Sequence, residues 1–308
     1  MDKGQPDGRR GGLLTLTLRP SGSAIWVGPA WAVVCGAVSS GALTRDWHTL
    51  LMALLAVVLA DPILSTIWAL VSSDDSRYVV EPTDNPGPGP VLPSLPYTLP
   101  GSAAGRLREL LEERLAGWRW AVWPRARESI PTLGFASALA LLMAAVLGIL
   151  PLAVVVAFLV AAGARVWIRG SSMRLVEALG SGVLAGVPWV LGYVALAEPL
   201  IGEQGPGSLG FALLAAAAYA GVFHGCALIS AQRLSLGANV VTAFQVFVVA
   251  VLILIEHPIH GGAVALLLLP QVMLQPLMLR LDDGGWYLRR VQGFVMLAML
   301  TVALALAA

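Results

Sequence analysis

The chain has 308 residues, of which 57% are apolar and 12% charged, with a net charge of +1 and a mean hydropathy of +0.80. Soluble domains carry about 25% charged residues, so the composition excludes an ordinary water-soluble fold and predicts an all-α polytopic membrane protein. The small net charge predicts no nucleic-acid partner, and Cys35 and Cys226 give neither a disulfide framework nor a metal spacing.

The first 23 residues carry Lys3, Arg9, Arg10 and Arg19. They have no short apolar core followed by a small-residue cleavage site, so they read as a cytoplasmic tail and not as a cleaved signal peptide. Residues 24–308 read as a single transmembrane domain. A membrane span needs about 20 mostly apolar residues. Nine stretches qualify: 24–43, 48–72, 130–148, 150–168, 173–197, 208–231, 238–256, 261–279 and 288–308. Leu150-Pro151 reads as the tight turn between the third and fourth. The seventh and eighth meet across Glu256-His257-Pro258-Ile259-His260-Gly261-Gly262.

The basic residues orient these spans. Of 19 Lys and Arg, only Arg45 falls on one side of the alternation. The rest lie in the tail, in the segment 73–129, at Arg165, Arg169 and Arg174, at Arg233, and at Arg280, Arg289 and Arg290. Positive residues flanking spans stay in the cytoplasm. The expectation is a multi-pass protein of the cytoplasmic (inner) membrane, with its N-terminus inside and its C-terminus outside.

Segment 73–129 is the one sizeable extramembrane stretch. Its first half, through Asn85-Pro-Gly-Pro-Gly-Pro90 to Pro100, has no apolar period and reads as an extended loop. In its second half Leu107, Leu110, Leu111, Leu115 and Trp118 recur at helical spacing, with Arg and Glu on the other face. This predicts an amphipathic helix of about five turns. It lies on the membrane surface as a connector, or closes over a cytoplasmic cavity as a lid.

Ionisable groups inside a membrane are costly and are candidate functional groups. Asp61 stands mid-span in Leu59-Ala60-Asp61-Pro62-Ile63-Leu64-Ser65-Thr66, where Pro62 loosens the helix and Ser65 or Thr66 could bond the carboxyl group. It reads as a protonated acid held inside the bundle or as the lining of a polar cavity. His224 has small neighbours, in Gly221-Val-Phe-His-Gly-Cys226, and reads as a core histidine or as a tetrapyrrole ligand. His257 and His260 resemble half a metal site beside Glu256, with Pro258 interrupting the helix, or they form an interfacial cap. Asn239, Thr242 and Gln245 are three apart near one face, suited to interhelical hydrogen bonds or to a ligand headgroup.

Several local stretches carry a resemblance to a known family. Pro96-Tyr97-Thr98-Leu99-Pro100-Gly101-Ser102 is similar to a PYRPLPSG segment, and Leu191-Gly192-Tyr193-Val194-Ala195-Leu196 to a "lGyval" stretch. Asp282-Asp283-Gly-Gly-Trp-Tyr-Leu-Arg-Arg leads into the last span. With nine spans and cytoplasmic loops after the second and sixth, the chain resembles the UbiA superfamily of intramembrane prenyltransferases. The resemblance implies ionisation of an allylic diphosphate on magnesium, held by two Asp-rich motifs, N-D-x-x-D-x-x-x-D after the second span and a D-x-x-x-D type set after the sixth.

The chain departs from that pattern. Ser65 to Ser73 holds no carboxylate, Asp74 and Asp75 are adjacent, and Asp61 lies about 20 Å of helix before them. No Asp or Glu occurs from Gln204 to Ile255, and Thr98 replaces the family's Arg. The expectation is therefore a catalytically degenerate relative that binds an isoprenoid-tailed lipid, quinone or pigment, or serves as a subunit beside other membrane proteins. Arg233, Arg77 and Arg106, with Asn239, Thr242 and Gln245, would meet the ligand's head. One alternative is an active prenyltransferase with a rebuilt site using Asp61, Asp74 and Asp75, and only that alternative needs Mg2+. Another is a small transporter or a tetrapyrrole-binding subunit using His224.

Overall fold

The computed structural model describes residues 28–43, 46–72, 129–168, 173–197 and 201–308. The N-terminal tail, the proline-rich loop and the amphipathic helix lie outside them, as do Asp74, Asp75, Arg77 and Arg106. Every regular element among the described residues is helical: α1 (Pro29–Ser39), α2 (Trp47–Val58), a π-helical turn (Leu59–Leu64), α3 (Ser65–Ser72), α4 (Ser129–Leu147), α5 (Ile149–Ile168), α6 (Met173–Ala197), α7 (Ile201–Ser230), α8 (Leu234–Leu254), α9 (Pro258–Leu281) and α10 (Gly284–Ala307).

Among the described residues, five runs are long and apolar enough to cross a bilayer: Trp47–Val71, Leu209–Ser230, Leu234–Leu254, Pro258–Leu281 and Gly284–Ala307. Shorter apolar stretches fall at Pro29–Ser39, Pro131–Leu147, Ile149–Ala164 and Ala185–Ala197. The chain is thus an all-helical membrane protein. Helices suit this setting because they satisfy their own backbone groups where no water can.

The connections follow from local chemistry, and two differ from expectation. Leu150-Pro151 is not the turn between α4 and α5. The break is Gly148, at φ 130°, a conformation closed to most side chains, while Pro151 sits in the first turn of α5, where its missing N–H costs nothing. Pro258 likewise does not interrupt a helix: it opens α9, with His257 as N-cap. Between α9 and α10, Asp282 takes a left-handed conformation at φ 51°. Asp283 then caps α10, its carboxylate accepting from the Trp286 N–H at 2.8 Å.

The expected loosening at Pro62 is a π turn. Widening the turn lets the next residue along supply the N–H that Pro62 lacks, so the span continues without a break. The Ser65 hydroxyl donates to the Ala60 carbonyl at 3.3 Å, and the Thr66 hydroxyl donates to the Pro62 carbonyl. Neither donates to Asp61, contrary to expectation, because back-bonding within the helix claims both hydroxyl protons.

A small cluster of Tyr193, Val194, Ala197 and Ala212 joins α6 to α7, and beside it packing forms two large apolar cores that share α1 and α6. One unites α1 and α6 with α7, α8, α9 and α10. The other packs α2, the π turn, α3, α4 and α5 against the opposite sides of α1 and α6. The shared pair is held by two glycines. A methyl group at Gly36 would overlap the Trp189 carbonyl, and one at Gly192 would overlap the Val33 carbonyl. Small residues that let backbones meet are the usual basis of helix association in lipid, where apolar burial alone gives little drive. The Leu191–Leu196 stretch therefore has a packing role, with Leu191, Tyr193, Val194, Ala195 and Leu196 all buried.

Candidate groove between α5, α6, α7 and α8

An apolar opening lies between α5, α6 and α7. Val154, Ala157, Phe158 and Ala161 of α5 form one wall, and Gly186, Val187 and Val190 of α6 the back. Leu213, Ala216, Ala217, Ala220, Gly221 and His224 of α7 form the other wall, with Phe244 of α8 at its edge. The volume is about 590 Å³, within the range of small-ligand sites.

The groove exists because small residues recur on one face of α7. Ala216, Ala217, Ala220, Gly221 and His224 fall at helical spacing, so that face presents almost no side-chain bulk until His224. Ala157 and Ala217 are exposed within it. His224, half-buried, is the one polar residue on its lining. The groove is thus an apolar trough with one imidazole near the α7 end that leads to Arg233.

The other expected site residues do not gather here. Arg233 is exposed in the turn between α7 and α8, and Asp61 is half-buried in the π turn, which packs against α1, α2 and α4. Asn239, Thr242 and Gln245 do not share one environment. A spacing of three residues winds back by about 60° per step on a helix, carrying the row from exposed Asn239 through half-buried Thr242 to fully buried Gln245. Thr242 and Gln245 take the interhelical role. The Gln275 amide donates to the Thr242 hydroxyl at 2.8 Å, and the Gln245 amide donates to the Gln271 Oε1 at 2.9 Å. The Gln271 amide in turn donates to the Leu267 carbonyl at 3.0 Å, and the Tyr287 hydroxyl to the Gln271 carbonyl at 3.2 Å.

Sequence reasoning missed the α9 half of this polar network. Its signal was there, since Gln271 and Gln275 are four residues apart and share a face. It also missed the parallel stack of Trp189 on Tyr219, with centroids 5.4 Å apart at the α6–α7 contact. The Trp189 indole N–H and the Tyr219 hydroxyl are buried there without hydrogen-bond partners among the described residues.

At the other end of α8, the His257 and His260 rings meet edge to face at 5.8 Å, both half-buried, beside exposed Glu256. Among the described residues no group of three or more His, Cys, Asp or Glu is placed to hold a metal ion. The described donors therefore do not fit the magnesium of a diphosphate site, which requires several carboxylate oxygens around each ion.

No protein-family model, no curated protein and no solved structure matches the chain.

Proposed function

We propose that this is a nine-span protein of the cytoplasmic membrane, cytoplasmic at its N-terminus, that binds an isoprenoid-tailed lipid, quinone or pigment in the α5–α8 groove. The observation that carries this reading is the composition of the trough: fourteen lining residues, thirteen of them without a polar side chain and one a histidine. A branched hydrocarbon tail gains from such a surface by contact and shape, since a groove lined by Ala and Gly admits methyl branches that longer side chains would block. The UbiA-like order of motifs is consistent with a prenyl-binding scaffold whose metal-diphosphate machinery is gone. The reading makes the chain a binder or a subunit and not a transferase.

The test is to extract the protein in mild detergent and identify the bound lipids by mass spectrometry. Ala157→Phe with Ala217→Trp fills the groove from two exposed positions, so the cores stay intact. Wild type should retain a prenyl-chain compound that the double variant loses. Equal lipid content in both proteins would refute the reading.

A second reading rests on His224. With Ala220 and Ala217 on the same face of α7 and the Phe244 ring packed over Gly221, the imidazole stands on the lining of the trough, where it would ligate the metal of a flat macrocycle lying along the alanines. A Soret-type absorption band in the purified protein, lost in His224→Leu, would favour tetrapyrrole binding over a prenyl lipid.

A further inference from the structure

Asp61 is the fifteenth residue of the apolar run Trp47–Val71. At 1.5 Å per residue it lies about 21 Å from one end and about 15 Å from the other, close to the middle of the bilayer. Its surroundings show which way it faces. Along α2, Trp47, Leu50, Leu54 and Val58 are exposed. The same line continues through Asp61, Pro62 and Ser65, all half-buried, to exposed Ala69. The opposite face, through Leu59, Ala60, Ile63, Leu64 and Ile67, is buried in the core. The carboxyl group therefore belongs to the outward stripe of its span and not to the interior of the bundle.

Asp61 has no hydrogen bond or ion pair among the described residues, and the two nearby hydroxyls donate to main-chain carbonyls instead. The groove does not include it. Hydrocarbon offers a carboxyl group neither a donor nor an acceptor, whether or not it carries its proton. Charged groups persist in this setting when another group pairs with them.

We propose that the outward stripe of α2, the π turn and α3 is a docking surface for a transmembrane helix of another protein, anchored by a basic side chain on Asp61. Three features specify the occupant. A carboxyl group in this setting needs a polar partner, and a cation on a neighbouring helix would hold it ionised and pair with it best. The apolar residues toward the α2 end of the stripe suit a helix and not a soluble domain. Ser65, small and one turn from the carboxyl group, lets a neighbouring backbone come close. The surface is independent of the groove, so either can fail without the other.

The experiment uses the full chain, dye-labelled at its C-terminus and reconstituted in phosphatidylcholine vesicles. The probes are acceptor-labelled transmembrane peptides of about 20 Leu and Ala residues, identical except for Lys or Leu at the centre. Energy transfer to the Lys peptide should exceed transfer to the Leu peptide several-fold. In Asp61→Leu the Lys peptide should fall to the level of the Leu peptide, and Asp61→Asn, close in shape but uncharged, should lose most of the difference. Equal transfer to the two peptides in wild type would overturn the proposal with no variant needed. So would Asp61-dependent transfer between two labelled copies of the chain that matches transfer to the Lys peptide, since the occupant would then be a second copy.

Discussion

The side-chain amide of Gln245 donates to the side-chain oxygen of Gln271 across 2.9 Å, and both residues are completely buried between α8 and α9. Two amides placed so deep have no water to fall back on, so each must be satisfied by the other or by a carbonyl. Gln271 achieves this at every position: it donates to Leu267, accepts from Gln245, and its own carbonyl takes the Tyr287 hydroxyl. The Gln245 oxygen does not and is left unpaired. The pair thus fixes α9 against α8 at an energetic cost carried by one atom.

Replacing Gln245 alone should cost about as much as its bond. Interhelical hydrogen bonds in membranes average about 0.6 kcal/mol, and Gln245→Leu removes the unpaired Gln245 oxygen while stranding the buried Gln271 oxygen, so one orphan replaces another. Gln245→Leu with Gln271→Leu should be no less stable than Gln245→Leu alone, because neither orphan remains. Unfolding midpoints in mixed micelles would check the order, and additive losses would contradict it.

Two buried tyrosines should respond in opposite directions to the same change. Tyr219 keeps an unpartnered hydroxyl in the core, so Tyr219→Phe should stabilise the protein by about 1 kcal/mol while preserving the stack on Trp189. The Tyr287 hydroxyl donates to Gln271, so Tyr287→Phe should destabilise it by about 0.5–1.5 kcal/mol. Thermal melts of the two variants in one detergent would separate them, and a loss in Tyr219→Phe would point to a bound partner for that hydroxyl.

The proposed orientation leads to a direct expectation for the C-terminus. Nine crossings from a cytoplasmic tail leave Ala308 outside. Alkaline phosphatase fused after Ala308 should be active, and green fluorescent protein fused at the same position should be dark. The reverse pattern would mean that the orientation is inverted or that the number of crossings is even.

The sequence made the helices legible because hydropathy dominates in a bilayer. The Met173–Ala197 helix matches the expected fifth span at both ends. It also marked Asp61-Pro62 as a point of altered helix, which the π turn bears out. Turn chemistry was harder to read. Leu150-Pro151 looked like a break because proline ends helices, yet the residue that actually turns the chain is Gly148, where only backbone freedom matters. The groove was not visible at all. It depends on how far α5 and α7 diverge, and a run of alanines has the same pattern whether it closes a contact or lines a trough. His224 stood out as an oddity, but its place on that lining required the packing of three helices.

The interlocked contact of Gly36 and Gly192 with the facing carbonyls has a mechanical meaning. Backbones that touch at two points cannot slide along each other without collision, so α1 and α6 act as a fixed keel for both halves of the protein. Sliding of α1 along α6 is blocked, so any widening to admit a bulky guest falls to the helices around this pair.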